Sequence, residues 1–175
     1  MLQGAPVCTC AFRLTLTLAP QPYHAGVLVP ETPARLLRTR FSAYCKGKAD
    51  YIIDTTHPDN EQLRSVSRES FAADVVATAD KGRFSALEVL AESPGVAPDQ
   101  AIVAFRYIVR PSDRCVCSHA LTGVCVQFEI VGQKGFGARP SSRQQVTETS
   151  VFMRDAASAP WRFHSSQLKA DKLTR

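Results

Sequence analysis

The chain has 175 residues, of which 45% are hydrophobic and 21% charged, and its net charge is +5. A length close to ~150 residues favours one domain, and this composition excludes disordered, collagen-like and coiled-coil chains. The longest apolar runs, such as 101–105, are too short for a membrane span of ~20 residues. The positive charge permits an acidic partner without identifying one, because the basic residues are scattered.

Three helices are predicted in the first half of the chain. Thr32 is a capping residue type followed by proline, so a helix should begin there, continue to Tyr44 and stop at Gly47. A shorter helix should run from about Asp50 to Pro58. The segment 61–78 has a helical pattern and should end before Lys81-Gly82.

Short strand-like segments follow the helices and are rich in β-branched and aromatic residues; they span 84–91, 101–109, 124–131, 144–153 and 161–165. Helices first and strands afterwards is the order of an α+β domain, with helices packed on one face of a mainly antiparallel sheet. The expected core residues are Leu36, Leu37, Phe41, Ile52, Ile53, Phe71, Val75, Val76, Phe105, Phe128, Phe152 and Trp161.

Two stretches of the first half resemble the signature of the YchJ-like family. They read Glu-Thr-Pro-Ala-Arg-Leu-Leu-Arg-Thr-Arg-Phe-Ser-Ala-Tyr (31–44) and Lys-Ala-Asp-Tyr-Ile-Ile-Asp-Thr-Thr-His-Pro (48–58), and they are supported by 22–26, 87–90, 147–152 and Trp161. The resemblance implies a nuclear-transport-factor-2-like cone, in which about three N-terminal helices pack on a curved, mainly antiparallel sheet and leave a pocket. This fold hosts isomerases, dehydratases, transport factors and binding modules, so it does not settle function.

The resemblance also predicts the domain boundaries. A YchJ-like domain should span 22–168, interrupted by an insertion at 111–127 and followed by a basic tail at 169–175. Residues 1–21 stand where family members usually carry a SEC-C-type zinc module, here degenerate. Residues 1–21 and 111–127 each end at a glutamine before family-like sequence resumes. Since a CAG codon matches a splice acceptor, both segments could instead be gene-model artefacts.

Six cysteines raise the question of metal binding. A structural zinc site needs about four ligands. The N-terminal segment offers Cys8 and Cys10 with His24, and the insertion offers a second set whose spacing matches no zinc knuckle: Cys115, Cys117, His119 and Cys125. We therefore expect no metal and no other cofactor, with zinc at these residues as the alternative.

One group of polar residues in the family-like helices could support catalysis. Asp54 and His57 are three residues apart and could share a helix face, where the carboxylate would raise the basicity of the histidine as a general base. Tyr44 or Tyr51 would then donate a hydrogen bond to an oxyanion. The alternative that we favour is that His57 caps the helix end and Asp54 is solvated.

A second pair, Arg40 and Glu148, lies within the family-like motifs. We predict that it lines the pocket or forms a partly buried ion pair that fixes the first helix on the sheet. A third group consists of Lys134, which lies inside a Gly132-x-x-Gly135 sequence, and of Arg139 and Arg143, which follow it. KH domains place such a loop between helices, so a solvated hairpin loop is favoured here, with weak nucleic-acid association as the alternative.

The sequence contains no complete catalytic motif. We therefore predict a non-enzymatic module that binds an unknown protein or small molecule through its pocket or open sheet face. The alternatives are an isomerase or dehydratase using the His57 and Asp54 base, and nucleic-acid association. We expect a soluble intracellular protein, cytoplasmic or organellar, with no membrane partner and with homodimerisation through the sheet face as a further hypothesis.

Overall fold

The computed structural model describes residues 20–111 and 143–171. Helices come first in this part of the chain: α1 (Gln21–His24), α2 (Pro33–Cys45), α3 (Ala49–Asp54), α4 (Glu61–Ser65) and α5 (Arg68–Lys81). Four strands follow: β1 (Gly82–Pro94), β2 (Gln100–Pro111), β3 (Gln144–Met153) and β4 (Arg162–Asp171). The order confirms the predicted α+β class.

The strands form one antiparallel sheet in the order β1-β2-β3-β4. Its register places Phe105 opposite Glu148, and Glu148 opposite Leu168. Register shifts interrupt β1 at two places and the β3–β4 pairing at one. Such bulges bend a strand and increase its twist, so they produce the curvature that lets helices cover one face of this sheet.

Local signals place α2 where the sequence predicts it. The Thr32 hydroxyl accepts a hydrogen bond from the backbone N–H of Arg35 at 3.2 Å, and Pro33 occupies the first turn. Gly47 has a positive φ of 61° just beyond the helix end. Glycine adopts this conformation without the steric cost that other residues meet, which explains why the helix stops here.

The predicted helix over 61–78 is wrong in two respects. It is divided at Val66, and Ser67 starts a new helix by accepting a hydrogen bond from the Ser70 N–H at 3.2 Å. Val76, expected in the core, is 43% exposed. Thr78 takes its place because positions 71, 75 and 78 share one helix face, whereas position 76 points away from it.

Two apolar clusters form the core. The first lies between α2 and the sheet, and its buried members are Leu36, Leu37, Val103, Phe105, Tyr107, Val109, Val146 and Phe152. The second joins α2, α3 and α5, and its buried members are Ala43, Ile52, Ile53, Phe71 and Val75. Phe41 and Trp161 are half-buried against the first cluster. Most of the expected core is therefore confirmed, apart from Val76.

Several sequence predictions lie outside the described residues. These are Phe128, the strand at 124–131, most of the segments 1–21 and 111–127, and the end of the tail. Where the boundaries can be compared, Gln21 already begins α1, and β4 continues to Asp171, past the expected domain end at 168. None of the helices in the described ranges is both long and apolar enough to cross a membrane.

Candidate ligand-binding cavity

A cavity of about 100 Å³ lies between the helices and the inner face of the sheet. Its apolar wall is mostly aromatic and consists of Leu37, Phe41, Phe71, Phe84, Phe105, Phe152 and Phe163. Its polar groups are Arg40, Tyr44, Gln62, Thr78, Tyr107, Glu148, Ser150 and Ser166. Side chains from α2, α4, α5 and all four strands therefore meet at one site.

Strand periodicity explains why polar groups reach this apolar space. Glu148, Ser150 and Phe152 are two residues apart along β3, so all three project from the same face of the sheet. On the neighbouring strand, Ser166 lies directly opposite Ser150. The inner face of β3 thus carries a carboxylate and a hydroxyl among aromatic rings.

Glu148 is held by hydroxyl groups on three strands. The Tyr107 hydroxyl lies 3.4 Å from one carboxylate oxygen, the Ser150 hydroxyl lies 3.3 Å from the other, and Ser166 also hydrogen-bonds to the carboxylate. Burial raises the pKa of Glu148, although these three hydrogen bonds and the charge of Arg40 oppose the shift. Burial and the neighbouring carboxylate also raise the pKa of Tyr107 well above its usual value.

Arg40 is 4% exposed, and among the described residues only its Nη1 forms hydrogen bonds. Nη1 donates to the carbonyl of Ile52 at 2.8 Å and to the hydroxyls of Thr55 and Thr56 at 2.7 and 3.2 Å. The guanidinium carbon lies 4.6 Å from the centre of the Phe163 ring. Burial lowers the pKa of Arg40. Within residues 20–111 and 143–171, Nε and Nη2 have no hydrogen-bond partner.

Two alternatives were predicted for Arg40 and Glu148: that they line the pocket, or that they form an ion pair. Both residues line the cavity, and the predicted ion pair is wrong. Neither residue takes part in any ion pair between described residues. The C-terminal end of α3 holds the arginine, whereas hydroxyls of the sheet hold the carboxylate. The two charges act on each other only through space.

The alternative in which Asp54 and His57 share a helix face is also wrong, because α3 ends at Asp54. Asp54 is exposed and pairs with Arg68 at 3.0 Å. His57 lies beyond the helix and is 5% exposed. Its Nδ1 accepts from the backbone N–H of Asp59 at 3.2 Å, and its Nε2 is 3.3 Å from Asp155. Thr55, not His57, occupies the C-cap position, and neither Asp54 nor His57 lines the cavity.

The two candidate tyrosines have different surroundings. Tyr44 lines the cavity, and burial raises its pKa. Tyr51 faces α1 instead: its hydroxyl is 2.7 Å from the Thr39 hydroxyl, and its ring packs 4.8 Å from that of His24. Only Tyr44 of the four catalytic candidates therefore contributes to the cavity.

The remaining candidates are dispersed or lie outside the described residues. His24 Nε2 donates to the Thr39 carbonyl at 2.9 Å, which ties α1 to α2. No group of three or more His, Cys, Asp or Glu residues in the described part of the chain is arranged so that it could hold a metal ion. Arg143 is exposed just before β3. The candidates outside the described ranges are Cys8, Cys10, Cys115, Cys117, His119, Cys125, Lys134 and Arg139.

Three polar residues of the cavity escaped the sequence analysis: Tyr107, Ser150 and Ser166. The alternation Glu148-x-Ser150-x-Phe152 in the strand predicted over 144–153 was the available signal for Ser150. Tyr107 shares the period of two with Val103 and Phe105 on β2. For Ser166 there was no such signal, because β4 was predicted to stop at residue 165.

The protein is an α+β domain in which a pocket lies between the helices and a curved antiparallel sheet. The sequence model of the family described as YchJ, middle NTF2-like domain, matches residues 32–122. The chain therefore belongs to the YchJ family, as the motifs of the first two helices predicted.

Two relatives match more than half of this chain. A UPF0225 protein of Pectobacterium carotovorum is 35% identical over 103 residues, which cover 58% of this chain and 63% of the relative. A UPF0225 protein of Yersinia pestis is 33% identical over 99 residues, which cover 57% and 60%. The chain thus spans less than two thirds of the length of these relatives.

Two structures of SEC-C motif containing proteins share the fold. The one from Rhodopseudomonas palustris is 22% identical with a TM-score of 0.54, covering 85% of this chain and 87% of that protein. The one from Psychrobacter arcticus is 21% identical with a TM-score of 0.54, covering 90% and 80%. At this identity the likeness concerns the fold alone.

Proposed function

We propose that this protein is a non-enzymatic binding module whose cavity holds a small molecule with a flat, apolar body. The observation that carries the proposal is an aromatic-walled cavity with a few buried polar groups directed into it. This combination is typical of small-molecule sites, in which apolar walls provide affinity and a few polar groups fix the orientation of the ligand.

The cavity volume limits the size of the buried group. At about 100 Å³ it is smaller than the ~150 Å³ apolar cavity that takes up benzene in an engineered protein. The buried part of the ligand is therefore a single ring or a short unsaturated chain, and any larger part extends through the opening. The rings of Phe105 and Tyr107 both line the cavity, with their centres 6.0 Å apart and their planes inclined by 22°.

Binding without catalysis is the better-supported alternative. The general base in the isomerase or dehydratase hypothesis was to be His57 or Asp54, and both lie outside the cavity lining. A protein partner on the open sheet face, homodimerisation there, and nucleic-acid association through Lys134, Arg139 and Arg143 stay predictions. The last would weaken steeply with salt.

The experiment is ligand-observed NMR with small ring compounds such as phenol and toluene, followed by titration of the labelled protein. Leu37→Phe would enlarge a side chain of the cavity wall and should abolish binding. The control is Val76→Phe, which adds an aromatic ring at an exposed position of α5 and should leave binding unchanged. Failure of every probe to bind, or unchanged binding by the Leu37 variant, would contradict the proposal.

A further inference from the structure

We infer that the ligand of this cavity is a small carboxylic acid, whose carboxylate binds the Nε and Nη2 edge of Arg40. The inference rests on the proposed function and specifies its ligand class. The observation is a buried guanidinium at the cavity wall whose hydrogen bonds to the described residues all leave from Nη1.

Within the described part of the chain, the groups that accept hydrogen bonds from Arg40 are all neutral: one main-chain carbonyl and two threonine hydroxyls. An arginine keeps its charge inside proteins, and a buried charge without a counter-charge is unfavourable. Hydrogen bonds and the Phe163 ring reduce this penalty without supplying a negative charge. The site therefore favours an anion from outside.

A carboxylate fits this site better than a spherical anion. The N–H groups of Nε and Nη2 are parallel and lie in one plane, and they match the two oxygens of a carboxylate in a bidentate pair. The aromatic wall around them suits the flat body of an aromatic or α,β-unsaturated acid. The guanidinium of Arg40 thus selects a carboxylate head group in the ligand, and the aromatic rings of the cavity select a flat ligand body.

The chain itself does not supply this carboxylate within its described part. Glu148 is the carboxylate that lines the cavity, and it forms no ion pair with Arg40. Tyr107, Ser150 and Ser166 hold it on the sheet instead. Arg40 and Glu148 therefore line the same cavity as separate anchor points for a ligand.

Glu148 links binding to proton uptake. The groups that face it are Arg40 and Tyr44 from α2, Tyr107 from β2, Ser150 from its own strand and Ser166 from β4. A ligand carboxylate adds a second negative charge to this site, and like charges at close range favour protonation of one group. A protonated Glu148 can then donate a hydrogen bond, so binding should weaken as the pH rises.

The experiment is isothermal titration calorimetry on the full chain with matched acids and amides: benzoate against benzamide, and crotonate against crotonamide. We expect the acids to bind at least about tenfold more tightly, since hydrogen bonds to charged groups are the stronger ones. Titration in two buffers of different ionisation enthalpy should show uptake of protons with benzoate and none with benzamide.

Variants of Arg40 and Glu148 test the roles of these two residues in ligand binding separately. Arg40→Lys keeps the charge but loses the bidentate edge, and it should weaken benzoate about tenfold while changing benzamide little. The matched control is Arg83→Lys on β1, where the arginine is exposed. Glu148→Gln should retain benzoate binding and remove its pH dependence and proton uptake.

Each outcome decides between the two proposals. If benzoate and benzamide bind equally, or if Arg40→Lys binds benzoate as the wild type does, the carboxylate inference is overturned and the cavity function stands. If neither compound binds, both proposals are overturned. If Arg40→Lys does not fold, the acid and amide pairs on the wild type and on Glu148→Gln decide the matter without it.

Discussion

Asn60 connects the helical half of the chain to the last strand by donating a hydrogen bond from its amide nitrogen to the main-chain carbonyl of His164, 104 residues away. Its amide oxygen accepts from the Leu63 N–H at 2.9 Å and so caps α4. One buried side chain therefore ends a loop, starts a helix and holds both against the sheet that carries the cavity.

Asn60→Asp should lower the free energy of unfolding by ~1–3 kcal/mol, although aspartate caps helices as well as asparagine does. The carboxylate would retain the cap but face the His164 carbonyl without a donor. Thr32→Asp is the matched control, since it changes an exposed N-cap whose side chain has no such second partner among the described residues. Urea unfolding of both variants measures the difference, and an equal effect would mean that the bond to His164 contributes nothing.

Glu148→Gln should change the pH dependence of stability. Burial raises the pKa of Glu148 in the folded state. The folded state then binds a proton that the unfolded state releases, so the stability associated with this group is present at acidic pH and is lost as pH rises through the folded pKa. The variant, which stays neutral, should gain stability relative to the wild type between about pH 4 and neutral pH.

Unfolding curves of the wild type and this variant at a series of pH values give the measurement. Glutamine can still accept hydrogen bonds from Ser150 and Ser166, so the comparison isolates the charge. A difference in unfolding free energy that is constant over the whole pH range would mean that burial does not perturb the carboxyl group.

Titration of His24 should change the pH dependence of stability in the opposite direction to that of Glu148. Burial, together with Lys46 and Lys48, lowers the pKa of His24 in the folded state, although its bond to the Thr39 carbonyl opposes this. The folded state binds its proton less readily than the unfolded state, so stability is present above the unfolded pKa and is lost as pH falls through the folded pKa. His24→Gln should be less sensitive to acidification near pH 6 than the wild type, and an identical pH profile would argue against this effect.

Two positive φ angles give opposite predictions. Ala86 has a φ of 53° in the irregular part of β1, and Gly47 has a φ of 61° after α2. At Ala86, relief of ~1–2 kcal/mol of backbone strain exceeds the ~0.4–1 kcal/mol that glycine costs through the unfolded chain. Ala86→Gly should therefore raise stability by about 0.5 kcal/mol.

Gly47→Ala should lower stability by ~1 kcal/mol. A methyl group at Gly47 would lie 3.8 Å from the Cβ of Ala79, so the backbone conformation, rather than lack of space, causes the loss. Thermal unfolding of both variants is the measurement. Shifts of the same sign in the two melting temperatures would be inconsistent with backbone strain at these positions.

Much of the fold could be predicted because its signals are local. Thr32, Pro33 and Gly47 mark the two ends of α2, and β3 spans 144–153 as its residue types indicate. The third predicted helix, over 61–78, shows where such local patterns fail to predict the structure. A continuous helical pattern over 61–78 concealed a capping serine, because Ser67 can either stay in a helix or end it, and the neighbouring elements decide which.

The candidate site was predicted only in part. Arg40 and Glu148 were identified because they lie in family-like motifs, but their partners were wrong. A pair of opposite charges on a helix and a strand suggests a contact. Whether it forms depends on competing neighbours, here the threonines that follow α3 and the hydroxyls of β2, β3 and β4.

The sequence by itself determined the family, the α+β class, most helix and strand positions and most of the core, since these depend on residue types a few positions apart. Only the tertiary structure decided that His57 leaves its helix: its backbone N–H bonds to the Phe163 carbonyl at 2.7 Å. Likewise, only the folded chain brings Arg40, Tyr107 and Glu148 to one cavity. Such contacts join residues far apart in sequence, and they depend on strand register and helix placement, which no local pattern specifies.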